Sequence, residues 1–218
     1  MILDTGKSSA KLHKNVQVLI DGSFNRISLN LFSQYLHDLP WQEVKSFKGL
    51  VTRSSCWLVN QGCSCTYKYG ITSWKPHVFP QWIDQLARKL EVLHSRPPNS
   101  FNSCNCNRYD KSNEDLMWHS DNEPMFRAGD SCKESQRDVF ISSVSFGSSR
   151  EFAFRVKYGN ESASVVLDDG DILSMDGHLQ DSHEHTVKKA QGPGSNSIRY
   201  NLTFRTIIRH CRKCPKFS

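Results

Sequence analysis

A histidine and an aspartate stand two residues apart in Trp118-His119-Ser120-Asp121, and more histidines follow at His178, His183 and His185. In an extended segment, residues two apart project to the same side, so His119 and Asp121 can reach one ion. A downstream histidine would complete a two-histidine, one-carboxylate triad. Such a triad covers one face of a metal and leaves the opposite positions open, as iron(II) oxygen chemistry requires. H-x-D alone arises often by chance, so the reading rests on what accompanies it.

The companion is the segment Arg199-Tyr-Asn-Leu-Thr-Phe-Arg205. As a strand it places Arg199, Asn201, Thr203 and Arg205 on one face and Tyr200, Leu202 and Phe204 on the other. If the apolar face packs under helices, the arginines point inward, where an unpaired guanidinium is costly and an anion is needed. A dicarboxylate would supply that anion through forked, charge-assisted hydrogen bonds. The competing reading is a solvated edge strand. Just upstream of His119, Asn107 and Tyr109 share a face and could bond the same ligand.

These residues need a scaffold. Leu29, Phe32, Tyr35, Leu36 and Leu39 recur at three- and four-residue spacing, which predicts an amphipathic helix over 27–39 ended by Pro40. Trp82, Ile83, Leu86, Leu90 and Leu93 predict a second helix over 80–94, with Pro80 in its first turn. Residues 50–69 read as a hairpin-rich surface unit carrying Trp57, Tyr67 and Tyr69. Extended runs at 101–109, 139–146, 151–158, 164–167, 171–175 and 199–208 make the C-terminal half mainly β. The expected fold is therefore mainly β with buttressing helices (α+β), a jelly-roll or barrel core. Residues 127–138 read as a polar insertion and 190–196 as a flexible connection.

The 218 residues suit one domain, and the 37% apolar content, with five Trp and twelve Phe, excludes disorder. The expected division is a flexible N-terminus (1–24), a catalytic domain (25–210) with a lid at about 50–77 and a core over 101–208, and a basic tail (211–218). The absence of a long apolar run or signal-like N-terminus predicts a soluble, intracellular protein of the nucleus or cytoplasm, read as a monomer. The net charge of +6 is uneven: from Val187 onward there are eight Lys or Arg and no Asp or Glu, which favours a polyanionic partner. Eight cysteines are read as reduced thiols. The C-x-x-C of Cys211 and Cys214, next to His210, raises a zinc site with Cys63 and Cys65; free thiols are the commoner outcome.

Taken in order, these motifs resemble the AlkB family of iron(II)- and 2-oxoglutarate-dependent dioxygenases over nearly all of the chain from about Leu39. The motifs are Asn107-Arg-Tyr109, His119-Ser-Asp121-Asn-Glu123, Ser143-Val-Ser-Phe-Gly147, His185, and Arg199 to Arg205, with looser likeness at Pro40-Trp41 and 53–57. The resemblance implies a double-stranded β-helix core with a nucleotide-recognition hairpin unit. It implies His119, Asp121 and His185 as iron ligands, with His178 and His183 on the surface. It further implies that Asn107, Tyr109, Arg199, Asn201 and Arg205 bind 2-oxoglutarate or brace the metal, Arg199 being favoured for the distal carboxylate and Arg205 counted among the catalytic residues.

The implied reaction uses O2 and 2-oxoglutarate, with ascorbate as an in vitro reductant, to hydroxylate an N-methyl carbon of a base such as 1-methyladenine or 3-methylcytosine, after which formaldehyde leaves. The implied partner is methylated single- or double-stranded nucleic acid. A base inside a duplex must be flipped out and stacked to reach such a centre. Trp57, Tyr67 and Tyr69 are the candidate platform, Glu123 a candidate contact to the base, and Arg53 and the C-terminal basic residues candidate phosphate contacts. Asn122 departs from the second acidic residue that many repair members carry, which bears on substrate choice. The alternatives are a catalytically weak reader of modified nucleic acid, and a protein hydroxylase or demethylase with the same cofactors.

Overall fold

The computed structural model describes residues 11–13, 16–21, 34–127, 139–175, 177–190 and 197–217. In chain order the strands begin with β1 (Lys11–His13), β2 (Val16–Asp21), β3 (Gln42–Lys45), β4 (Val51–Val59), β5 (Tyr67–Tyr69), β6 (Thr72–Trp74) and β7 (Pro76–Val78). Helix α1 (Gln81–Leu93) follows, then β8 (Ser103–Tyr109), β9 (Leu116–His119), β10 (Ile141–Gly147), β11 (Arg150–Val156), β12 (Ser162–Leu167) and β13 (Ile172–Met175). Helix α2 (Gly177–Ser182), β14 (His183–Val187) and β15 (Arg199–Arg205) complete the order.

Nine strands form a major sheet, ordered β1-β2-β13-β10-β15-β8-β4-β3 with β7 alongside β4, and four form a minor sheet, β12-β11-β14-β9. Strands β5 and β6 make a separate hairpin. This is the expected jelly-roll architecture. Strand β15 lies centrally, antiparallel to β10 on one side and β8 on the other, with Arg199 opposite Tyr109 and Asn201 opposite Asn107.

Every residue of β15 is buried, so both faces are covered. Tyr200, Leu202 and Phe204 join Val144, Phe146, Ile172, Cys104 and Cys106 on the outer face of the major sheet, packed against Ile83, Leu86, Ala87 and Leu90 of α1. The solvated-edge reading of the arginines is thereby excluded. Both predicted helices differ from expectation at one position: Leu93 at the end of α1 and Tyr35 in the first predicted helix, each placed in an apolar stripe, are 38% and 55% exposed. Glu91 is buried instead, because its carboxylate accepts from the Asn99 and Phe101 backbone N–H groups and from Arg88. Of the first predicted helix only residues 34–37 fall among the described helical ones, and 27–33 lie outside them.

The N-terminal stretch expected to be flexible contains β1 and β2, and Val18–Asp21 pair with β13. The β-branched Val16, Val18 and Ile20 at every second position suit a strand, which β1 flanks at the sheet edge. Within the basic tail, Cys214 is 4% exposed and the Lys216 ammonium donates to Asn60 Oδ1. Most of the insertion predicted at 127–138, and of the connection predicted at 190–196, lies outside the described residues. No helix among the described residues is long and apolar enough to cross a membrane.

Leu90 is fully buried at the centre of the helix–sheet contact. Leu90→Ala is expected to destabilise the protein by about 2–5 kcal/mol in chemical denaturation, whereas Val92→Ala on the exposed face should change stability by less than about 0.5 kcal/mol.

Candidate active site

The two sheets face each other across a polar cleft of about 450 Å³ including its open mouth, lined by residues from both. The minor sheet brings His119 at the end of β9 opposite His185 on β14, and Asp121 lies just past β9. The ligand atoms of these three residues lie within 4.8 Å of one another. His119 Nε2 is 3.5 Å from Asp121 Oδ1, and His185 Nε2 is 3.8 Å from Oδ2.

Their surroundings prepare them as metal ligands. The Nδ1 of His119 lies 2.8 Å from the Met117 carbonyl, which can only accept, so the proton sits on Nδ1 and the Nε2 lone pair is free for an ion. His185 stacks on Phe152 at 5.3 Å and 17°. Burial, followed by the nearby His119, pushes the His185 pKa down to about 3, so its imidazole is neutral. Burial pushes the Asp121 carboxyl upward, but Arg205 and the two histidines outweigh this and hold it well below the usual carboxylate range. The Asp121 N–H donates to Gln180 Oε1 at 2.8 Å, fixing the backbone after His119. A two-histidine, one-carboxylate set with one open side suits iron(II) and the binding of further oxygen ligands.

The major sheet supplies the opposite wall. Asn107, Asn201, Thr203, Ser143 and Arg205 line the cleft. Asn201 Nδ2 donates to Ser143 Oγ at 2.6 Å, and the Thr203 hydroxyl donates to Asn201 Oδ1. Arg205 pairs with Asp121 at 2.8 Å across the cleft and lies 3.9 Å from Glu123. Deeper in the sandwich, Arg199 donates to Ser145 Oγ and the Leu167 carbonyl, with no carboxylate partner among the described residues. Burial pushes its pKa down to about 10. The Tyr109 hydroxyl beside it is buried with no hydrogen-bond partner. An orphaned hydroxyl beside a buried guanidinium that bonds only neutral oxygens fits a carboxylate ligand.

Several assignments need correction. Trp57 is fully buried, stacked on Tyr67 at 4.8 Å with its indole N–H donated to the Cys65 carbonyl, and has no face for a base. Tyr67 and Tyr69 do line the cleft: the Tyr67 hydroxyl donates to Glu123 Oε1 at 2.6 Å, and Tyr69 lies edge-on to His119. Arg53 is buried in the cleft wall and donates to Asn107 Oδ1, so it is not a surface phosphate contact. Asn122 is exposed beside the site and Glu123 half-buried in it. His183, expected at the surface, is 1% exposed, because β14 is covered by its neighbours. The side chain of His178 lies outside the described ones.

Two supporting residues were missed. Phe152 orients His185, and Arg150 sits under Tyr109 while donating to the carbonyls of Lys111 and Glu114. The strand reading began at Glu151, one residue late, which left Arg150 in the preceding turn.

The profile of the 2OG-Fe(II) oxygenase superfamily matches residues 23–205. The chain is 30% identical over 187 residues to the alpha-ketoglutarate-dependent dioxygenase alkB homolog 3 of Bos taurus, covering 82% of this chain and 61% of the relative. It is 28% identical to the Homo sapiens protein of that name, covering 85% and 63%. It is also 28% identical to the DNA oxidative demethylase ALKBH2 of Arabidopsis thaliana, covering 81% and 62%. The chain thus spans about three fifths of the length of these relatives. The solved structure of OsALKBH1 superposes with a TM-score of 0.59 at 20% identity over 87% of this chain and 97% of that one, which bears on the fold alone. The superfamily match, the alkB relatives and the His119–Asp121–His185 cluster agree: the chain belongs to the 2OG-Fe(II) oxygenase superfamily, in its AlkB family.

Proposed function

We propose that this protein is an iron(II)- and 2-oxoglutarate-dependent dioxygenase that oxidatively demethylates N-alkylated bases of the 1-methyladenine and 3-methylcytosine type in DNA or RNA, releasing formaldehyde. The observation that carries the proposal is the gathering of His119, Asp121 and His185 at one wall of the cleft, opposite the polar face of β15 with Asn201, Thr203 and Arg205, while the buried Arg199–Tyr109 pair lies deeper along the same strand face.

The residues fit the cofactors. His119, Asp121 and His185 would hold iron(II). Arg199 and Tyr109 would take the distal carboxylate of 2-oxoglutarate, and Asn107 and Asn201 would bond its other oxygens. When bound, iron and 2-oxoglutarate supply oxidising power drawn from O2, with succinate and carbon dioxide as by-products. Arg205 keeps Asp121 ionised and in place, so its catalytic part is to orient a metal ligand.

The mouth of the cleft supports a base as substrate. Bases methylated at these ring nitrogens are cationic, and the mouth presents the Glu123 carboxylate beside the rings of Tyr67 and Tyr69. Tyr69, half-buried, offers a stacking face, and Glu123 can accept from an exocyclic amine while Tyr67 holds it. Apart from the buried Arg199 and Arg205, the basic residues from Val187 onward suit a phosphate backbone. The relatives' names, a dioxygenase homolog 3 and a DNA oxidative demethylase, point the same way.

Formaldehyde should appear when the protein is incubated with iron(II), ascorbate, 2-oxoglutarate and oligonucleotides bearing 1-methyladenine or 3-methylcytosine. Its absence across DNA and RNA, with peptides stimulating succinate production instead, would transfer the activity to proteins. His185→Ala should lower turnover by more than about 100-fold and reduce iron binding, since a ligand costs more than a supporting contact. His183→Ala should lower thermal stability while leaving iron binding in place, because His183 is buried outside the triad. Arg199→Met should raise the KM for 2-oxoglutarate by roughly 10- to 100-fold with iron affinity unchanged, the scale of one lost charged hydrogen bond of about 1.5–3 kcal/mol.

A further inference from the structure

Away from the cleft, four side chains from opposite ends of the chain meet at one point. Cys63 and Cys65 lie in the loop between β4 and β5, and His210 and Cys214 follow β15. Their ligand atoms all lie within 4.8 Å of one another. His210 Nδ1 is 3.6 Å from Cys63 Sγ, 3.5 Å from Cys65 Sγ and 3.4 Å from Cys214 Sγ. The sulfurs of Cys63 and Cys214 are 3.9 Å apart.

We propose that Cys63, Cys65, His210 and Cys214 bind a structural zinc ion that fastens the β4–β5 loop to the end of the chain. Tetrahedral zinc, with bonds of about 2.3 Å to sulfur and 2.0–2.1 Å to nitrogen, places sulfurs roughly 3.8 Å apart and sulfur–nitrogen pairs roughly 3.5 Å apart. The observed distances match this pattern. Hydrogen bonding does not account for it, since one imidazole nitrogen at nearly equal distance from three sulfurs can bond only one of them well. A disulfide between Cys63 and Cys214 would bring their sulfurs to about 2.05 Å and leave the other two side chains unexplained.

The backbone around the cluster is arranged for thiolates. The Cys211 N–H donates to Cys65 Sγ at 3.2 Å, and the Ser64 N–H points at Cys214 Sγ at 3.5 Å. Such bonds neutralise part of the charge on metal-bound sulfur. Two tight turns set the spacing: Cys63 N–H bonds the Asn60 carbonyl through Gly62 at φ +83°, and Cys214 N–H bonds the Cys211 carbonyl. Cys211 is exposed and serves through its backbone, so the fourth ligand is His210 and not the first cysteine of the C-x-x-C. Three soft sulfurs and one imidazole select zinc, and four protein ligands leave no open position, which marks the site as structural.

The position gives the ion a task. The Cys65 carbonyl accepts from the Trp57 indole, and Trp57 stacks on Tyr67, whose hydroxyl holds Glu123. Fixing Cys65 to the segment after β15 therefore fixes the rear support of the cleft mouth. This holds whatever the substrate proves to be.

The test is the zinc content of the purified full chain, counted by inductively coupled plasma mass spectrometry. Because the iron triad could take up stray zinc, the count is made in His185→Ala. About one zinc per chain is expected there for a closed four-ligand site. Adding Cys214→Ser or Cys63→Ser should remove it, and Cys211→Ser should retain it. Should the cysteine variants fail to fold, cobalt(II) exchanged into the unmutated protein should show thiolate-to-cobalt charge-transfer absorption, which the sulfur-free triad cannot give. A zinc-free His185→Ala protein, a Cys63–Cys214 disulfide in the intact mass, or loss of zinc from Cys211→Ser would overturn the assignment. None of these results depends on the demethylase reading.

Discussion

The ion pair between Arg205 and Asp121 is the contact on which the cleft depends. Arg205 ends the central strand of the major sheet, and Asp121 follows the edge strand of the minor one, so the pair bridges the sandwich at its open side. Both groups are almost fully buried. Burial alone would favour a neutral carboxyl, and a neutral carboxyl is a poor metal ligand; the guanidinium reverses this. Breaking such a pair leaves an uncompensated charge at a cost of about 3–5 kcal/mol. The geometry of the metal-ligand set and the closure of the two sheets are therefore held by the same interaction.

Around that pair runs a graded environment. Tyr67 donates to Glu123 and lies 3.4 Å from the Arg205 guanidinium, which joins the mouth of the cleft to the aspartate through one buried polar chain. Burial pushes the Glu123 carboxyl upward, and Arg205 draws it back. At the other end of β15, Arg199 has only neutral acceptors. The two arginines of one strand thus sit in opposite conditions: one is paired with a carboxylate, the other bonds only neutral oxygens.

The sequence made the polar side of this design legible because strand periodicity leaves little choice. Once Tyr200, Leu202 and Phe204 go under a helix, Arg199, Asn201, Thr203 and Arg205 must enter the barrel. The H-x-D spacing is readable for the same reason, whereas the choice of His185 among the downstream histidines comes from the resemblance to the AlkB family. Trp57 misled because an aromatic in a hairpin-rich segment reads equally well as platform or as core, and only its packing on Tyr67 decides. His183 and His185 both face inward along β14, so alternation could not rank them by burial. Arg53 was misplaced because a cation's side of β4 depends on the register with β8, which no local pattern encodes. The four metal-ligating candidates at Cys63, Cys65, His210 and Cys214 were half visible: the cysteines stood out, but which residue joined them depended on the path of the chain after β15.

The triad and the anion-seeking pair lie on different sheets, and stacked sheets stand about 10 Å apart. A molecule that binds a metal at one end and the Arg199–Tyr109 pair at the other must span that gap. The thickness of the sandwich, set by side chains such as Leu173 and Phe154 in the interior, would then act as a ruler for any ligand that spans both. Repacking that interior would change which dicarboxylate fits, without touching a single residue that contacts it.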